Sequence, residues 1–213
     1  MISKRLKEIA KYLENKKILA DVGCDHGYVI IEGFLNYNLQ KAYAIDNKEG
    51  PLENAKNNIN AHEFSNKVEF LLSDGLEKLE DYVDVIVFAG MGGLLIIDLL
   101  KKDFRKLNNA RLIIQANRNT YEVRKYLTEV GYYIYDEKII FEDGKYYEII
   151  VFEKTEQPFN YKRNELYFGP VLLDRKDSVL KEKMKNDLRI LNNIPNKNAE
   201  ILCKINLVKE NLW

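Results

Sequence analysis

The 213-residue chain has little from which to build a site of sulfur or imidazole, holding two cysteines and two histidines. Cys24 and Cys203 lie far apart with no Cys-x-x-Cys pair, and His26 and His62 form no cluster around them, so neither a disulfide framework nor a zinc site is indicated. One-sided charge is also lacking. The 33 basic side chains balance the 33 acidic ones, so whole-chain charge advertises neither nucleic acid nor an anionic membrane. Long apolar runs are missing too: the longest charge-free one, "VIVFAGMGGLLII" from Val85 to Ile97, falls short of the ~20 residues a membrane helix needs. The opening segment "MISKRLKEIAKYLENKK" is charged throughout and has no apolar stretch of the signal-peptide kind. A soluble, cytoplasmic chain with no membrane and no metal partner is therefore expected. At 46% hydrophobic residues it can bury one full core and a small appendage.

What the chain does have is alternation. Leu6, Ile9, Ala10 and Leu13 recur at helical spacing and lead into the strand-like run "KILADV". There follow a helix from about Val29 to Asn36, strand "KAYAID", helix "GPLENAKNNINAH", strand "KVEFLLSD", a turn and helix over "GLEKLED", and strand "VDVIVFAG". Helix "LLIIDLLKKD", strand "ARLIIQAN" and helix "TYEVRKYLTEVG" come next, then two strands, "YYIYDEKIIFE" and "KYYEIIVFEK", joined by the hairpin signal Asp143-Gly144. Such alternation predicts an α/β fold whose parallel sheet carries helices on both faces, closed by an antiparallel strand. Composition shifts after Lys154, where "TEQPFN" reads as a linker containing Pro158. Beyond it, Leu172, Leu173, Val179, Leu180, Met184, Leu188 and Leu191 form one apolar stripe, and Ile201, Ile205, Val208 and Leu212 another. An antiparallel helical hairpin of coiled-coil type is predicted. The units are thus 1–154 and 160–213. The second carries eleven basic residues against seven acidic ones, which fits a solvated face as well as a nucleic-acid contact.

Chemistry concentrates at the strand ends. "LADVGCDHGYV" follows a strand and precedes a helix, so Gly23 and Gly27 let backbone amides approach a ligand, with Asp21 and Cys24 beside them. About twenty residues on, Asp46 ends the second strand, where a carboxylate accepts hydrogen bonds from ribose hydroxyls; Asn47 follows it. The competing reading of Asp46 is a helix cap. Asp74-Gly75 closes the third strand, where the carboxylate suits an exocyclic amine and the glycine suits close approach of an adenine. Acidic strand ends in this order favour a nucleoside ligand. The fourth strand ends in "AGMGG", so Ala89, Gly90 and Met91 face the ligand crevice, while Gly92 and Gly93 leave room for a planar substrate. Met91 also reads as a packed turn residue. At the end of the fifth strand, Gln115, Asn117 and Arg118 present polar groups to the same lip, Arg118 either as a phosphate clamp or as a solvated arginine.

Taken in order, "ADVGCDHGYV", "GPLENA", "SDGL", "FAGMGGLLI", "LIIQAN" and "YYEII" resemble the bacterial tRNA (adenine-22-N1)-methyltransferase family, the TrmK type. The likeness runs from about Lys4 to Lys154 and more loosely through "YFGPVLLDR"; Cys24, Gly27, Val29 and Ala116 depart from the family's usual serine, alanine, leucine and proline. It implies a Rossmann-like class I methyltransferase sheet of seven strands with the last antiparallel, S-adenosyl-L-methionine as cofactor, and a C-terminal coiled-coil pair. It further implies methyl transfer to N1 of an adenine in tRNA. A monomer is expected.

Asp25 stands where a glycine is usual. An aspartate tolerates left-handed backbone, so the turn permits it. It reads either as a cap or as a catalytic group. Neutral N1 needs no base, but the product ring is cationic, and a carboxylate beside it stabilises that charge. His26 and Tyr28 then orient Asp25 or stack on the base, or pack locally. N1 lies on the Watson-Crick edge, so the target must be extruded, and the basic helical hairpin is the available RNA grip. Two rival readings stand beside this one: a methyltransferase acting on a small molecule or protein, and a non-catalytic nucleotide- or RNA-binding module.

Overall fold

The computed structural model describes residues 2–157 and 159–213. Pro158 of the expected linker lies outside the described residues. The elements in chain order are α1 (Lys4–Lys11), β1 (Ile18–Val22), α2 (Tyr28–Asn36), β2 (Lys41–Asp46), α3 (Glu49–Ala61), β3 (Val68–Leu72), β4 (Val85–Met91), α4 (Gly93–Lys102), β5 (Arg111–Ala116), α5 (Thr120–Glu129), β6 (Tyr132–Glu142) and β7 (Lys145–Lys154). Four further helices follow: α6 (Arg163–Phe168), α7 (Pro170–Asp174), α8 (Ser178–Asn193) and α9 (Ala199–Asn211).

Seven strands form one sheet in the order β3-β2-β1-β4-β5-β7-β6. Period-two burial sorts the strand residues onto two faces. Leu19, Val85, Val87 and Ile113 pack with Ile9 of α1, Leu13 of the turn after it, Ile30 of α2 and Ile59 of α3. Ala20, Ile86, Phe88 and Ile114 pack with Ile96 and Leu100 of α4 and Leu127 of α5. The order reverses between β1 and β4, the place where open α/β sheets bind ligands.

The predicted fold class is the observed one, with two corrections below. The last of the seven strands is antiparallel as expected: β7 is inserted between β5 and β6, antiparallel to both, and β6 forms the edge. The segment "GLEKLED" is not a helix but a run of turns. Its backbone is satisfied by side chains instead of a helical ladder, since Leu76 N donates to Asp103 Oδ2 at 2.8 Å and Lys78 N to Ser73 Oγ at 3.2 Å. The first apolar stripe of the tail is not one helix. It breaks at Lys176, whose φ is 48°, and restarts where the Asp177 carboxylate caps α8 by accepting from Val179 N and Leu180 N.

The helical tail has its own core, in which Phe168, Leu172, Leu180, Met184 and Val208 close over Ile139 of β6. Beneath it lies a buried charge network. The Arg124 guanidinium donates to Glu137 and to Glu148, each at 2.8 Å, and Lys183 of α8 approaches Glu148 at 3.6 Å. Gly169, with φ 93°, lets the chain pass against Glu137, where a Cβ would lie 2.5 Å from Oε2.

Candidate active site

The carboxyl ends of β1, β2 and β4 surround a cleft of about 440 Å³, within the ~300–1,000 Å³ typical of small-molecule sites. Its floor is the loop after β1. Gly23 (φ 76°), Asp25 (φ 45°) and Gly27 (φ 68°) all take left-handed backbone. Gly23 N and Cys24 N both donate to Ile45 O, at 2.8 and 3.1 Å, which ties the loop to the end of β2. Gly23 is small because Met91 packs on it, its Sδ 3.3 Å from where a Cβ would stand.

Asp25 occupies its glycine-like position without capping anything: the N-cap of α2 is Gly27, with no side-chain hydrogen bond. The carboxylate is 65% exposed, and it lies 3.7 Å from His26 Nε2. The His26 ring in turn stacks on Tyr28, with centroids 5.5 Å apart. Asp25, His26 and Tyr28 therefore form one charged and aromatic edge of the cleft.

Acid lines the rest of the floor. Asp21 is 3% exposed, and burial, reinforced by the nearby Asp46 carboxylate, pushes its carboxyl up to about 7. Asp46 turns one oxygen to Lys48 N at 3.0 Å. Asp74 is exposed and pairs with Lys102 at 3.1 Å. The buried Cys24 thiol is held far above its ordinary range by burial and by Asp21 and Asp46, which makes it unreactive. Four acidic side chains, Asp21, Asp25, Asp46 and Asp74, thus share a cleft with two basic ones, Arg5 and Lys48. Such a cleft suits a ligand that is itself cationic, and the donor set fits S-adenosylmethionine, which carries a sulfonium and an ammonium.

The turn after β4 is laced to the end of β5. Asn117 N donates to Met91 O at 2.8 Å, Gly93 N to Arg118 O at 3.0 Å, and Asn117 Nδ2 to Gly90 O at 2.6 Å. Gln115, fully buried, accepts from Gly90 N at 3.2 Å. Gly93 is required by this contact, because a Cβ there would lie 2.7 Å from Arg118 O.

A family model described as tRNA (adenine(22)-N(1))-methyltransferase matches residues 19–212. The chain belongs to that family. The Bacillus subtilis tRNA (adenine(22)-N(1))-methyltransferase is 34% identical over 88% of this chain and 82% of its own. Sp1610 of Streptococcus pneumoniae, solved in complex with S-adenosyl-L-methionine, is 36% identical and superposes over the whole of both chains with a TM-score of 0.94. The M. capricolum TrmK, solved with S-adenosyl-homocysteine, is 29% identical with a TM-score of 0.88, over 100% of this chain and 98% of that one.

Within this methyltransferase fold, the predicted cofactor-side residues Asp21, Gly23, Cys24, Asp46, Asn47, Asp74, Gly75, Ala89, Gly90 and Met91 come together around the cleft, as do Asp25, His26 and Tyr28. Gly27 does not face it: the absence of a side chain there lets Ile59 approach, and a Cβ would lie 2.9 Å from Ile59 Cδ1. Gly92, Gly93, Gln115, Asn117 and Arg118 lie off the cleft lining, and Gln115 and Asn117 direct their polar groups into the lacing of the turn. Sequence reading missed Arg5, Lys48, Ser73, Leu95 and Leu99, which also line the cleft. Arg5 sits in an amphipathic helix whose period reports only its buried face, so nothing in the spacing ties it to a site.

Proposed function

We propose that this chain transfers the methyl group of S-adenosyl-L-methionine to N1 of adenine 22 of tRNA, with Asp25 placed against the reacting ring. The observation that carries the reading is the left-handed Asp25 itself, an uncapped carboxylate at the edge of an acidic cleft in a chain of this family. When bound, the cofactor supplies a methyl on a sulfonium sulfur, which the N1 lone pair takes as the carbon–sulfur bond breaks. No base is needed for that step, and the adenine ring ends with a positive charge. The Asp25 carboxylate stabilises this charge as it develops. His26 and Tyr28, already stacked on each other, extend an aromatic surface for the extruded base.

The remaining residues bind and position. Asp21, Gly23, Cys24, Asp46, Asn47, Asp74, Gly75, Ala89, Gly90 and Met91 hold the cofactor, Asp46 through the ribose hydroxyls. Gly92, Gly93, Gln115 and Asn117 shape the substrate side, and Arg118 meets a phosphate. Residues 1–154 carry the cleft, and the helical region 160–213 grips the tRNA backbone. We expect the chain to act as a monomer, and tRNA as substrate points to the cytoplasm.

Incubation of the protein with tritiated cofactor and unmodified tRNA, followed by digestion and nucleoside mapping, tests the reading. Label in 1-methyladenosine from position 22 is expected. Label in a protein or small molecule with none in tRNA would favour a different methyl acceptor. Cofactor binding with no transfer to any acceptor would favour a binding module.

A further inference from the structure

The buried charge network beneath the tail joins more than two elements. Each nitrogen of the Arg124 guanidinium donates to a different one: Nε to Glu137 Oε1 of β6 at 2.8 Å, Nη2 to Glu148 Oε2 of β7 at 2.8 Å, and Nη1 to Leu166 O of α6 at 3.3 Å. The two glutamates carry the connection onward. Glu137 Oε2 accepts from Val171 N of α7 at 3.0 Å, and Glu148 Oε1 lies 3.6 Å from Lys183 Nζ of α8, which also meets Asp187 at 2.9 Å. Arg124 itself belongs to α5, the helix that starts beside Asn119, next to the Arg118 carbonyl that accepts from Gly93 N at the lip of the sheet. One side chain and its two partners thus connect the helix at the lip to three helices of the tail.

Stability does not call for charge at this place. Desolvation offsets the attraction within a buried ion pair, and apolar side chains of similar volume hold two layers together as well or better. What apolar contact lacks is direction. The tail's own core closes over Ile139, and contact of that kind alone lets helices turn or slide at small cost. A guanidinium fork is planar and rigid, so three acceptors around it admit one arrangement. The setting also shapes the surface beside the lip, where a cleft of about 400 Å³ is lined jointly by the first turn of α5 and by α6, α8 and α9.

We infer that Arg124 is a positioning residue for methyl transfer, which sets the tail, and with it the bound tRNA, at one fixed place relative to the donor cleft. This inference rests on the reading of the tail as the tRNA grip given above. The methyl group must meet N1 in line, and a misplacement of about 1 Å at the reacting atoms costs on the order of a hundredfold.

Two variants of the full chain separate position from stability. Arg124→Lys keeps the charge and removes the fork. Arg124→Met combined with Glu137→Gln, Glu148→Met and Lys183→Met removes the charge and keeps the volume, with the amide oxygen of Glu137→Gln still accepting from Val171 N. Donor affinity, tRNA affinity and the salt dependence of tRNA binding should match the wild type in both, and the fourfold variant should keep its urea midpoint. Single-turnover methyl transfer at saturating tRNA should nevertheless fall about tenfold or more. A purely structural role would move the midpoint and the tRNA affinity and leave the saturated rate alone. A wild-type saturated rate in either folded variant would overturn the inference.

A chain with the network intact supplies the complementary measurement. Cys203→Ser removes the half-buried thiol, and spin labels on Leu35→Cys of α2 and Ile190→Cys of α8, both exposed positions, report the distance between sheet domain and tail. One narrow distribution is expected, broadened in Arg124→Lys. A broad distribution with the network intact would overturn the inference even if both variants failed to fold. Absence of 1-methyladenosine from the wild type on unmodified tRNA would overturn the functional reading and with it the inference, a failure told apart by a distance distribution that stays narrow.

Discussion

The Arg124 guanidinium of α5 donates to Glu148 Oε2 of β7 at 2.8 Å, with the arginine side chain wholly out of solvent. Glu137 takes a second hydrogen bond from the same arginine at 2.8 Å. Arg124→Met would leave two carboxylates facing each other under the tail without their shared cation. Removing one member of a buried charge group costs about 3–5 kcal/mol. Urea unfolding should show that loss in the midpoint, whereas a loss under 1 kcal/mol would mean that water reaches the pair.

Asp21 makes stability depend on pH. Its folded carboxyl is pushed up to about 7 by burial and by Asp46, while the unfolded chain gives up the same proton near the ordinary ~3.9. Between those values the folded state holds more protons, so stability of the free protein falls as pH rises from about 4 to about 7 and then levels off. Asp21→Asn should flatten that slope in thermal melts across the same window. A cationic ligand beside Asp21 favours the ionised form, so donor affinity of the wild type should rise toward pH 7 with release of a proton. Calorimetry in buffers of differing ionisation enthalpy measures that release, and a count of zero below pH 7 would separate Asp21 from the donor.

Asp25→Asn keeps the left-handed backbone tolerance and removes the charge. Single-turnover methyl transfer with saturating tRNA should slow by on the order of a hundredfold, with donor affinity retained. Asp25→Ala should be at least as slow and should also loosen the loop. A wild-type rate for the asparagine variant would assign Asp25 to the scaffold.

The helical tail is held by more than a linker. A chain ending at Lys154 loses Phe168 and Leu172 from above Ile139 and loses Lys183 from Glu148. Each uncovered apolar side chain forfeits about 1.5–3 kcal/mol. We expect the truncated chain to melt well below the full one and to lose tRNA methylation. Equal melting temperatures would show that residues 1–154 stand alone.

Alternation of strand and helix was legible because both faces of the sheet are covered and each strand is a short apolar run, as in "VIVFAG". The acidic strand ends were legible for the same reason: Asp21, Asp46 and Asp74 interrupt or end runs that are otherwise apolar. What pattern does not encode is which strands become neighbours, so the pairing of β7 with β5 as well as with β6 came only with the structure. Nor does pattern tell a polar group that faces a ligand from one that ties two loops together, so the bond by which Gln115 holds Gly90 was not legible in the sequence. Arg5 was hidden because its contribution depends on where α1 is pinned, and the pin, Glu142, is far away in the chain.

The insertion of β7 between β5 and β6 also orders events during synthesis. The strands β1 to β4, whose ends surround the cleft, are contiguous in the order β3-β2-β1-β4 and precede β5 in the chain, so they can pair before the rest of the sheet has been made. On the other side, β5 has no second neighbour and β6 has no partner at all until Lys154 has emerged. The half of the enzyme that recognises the donor can thus assemble as it leaves the ribosome, while the substrate side waits for a late, non-local strand insertion. Nascent chains paused between Ala116 and Lys145 carry an open sheet edge at β5, and that interval is where a holding chaperone has something to bind.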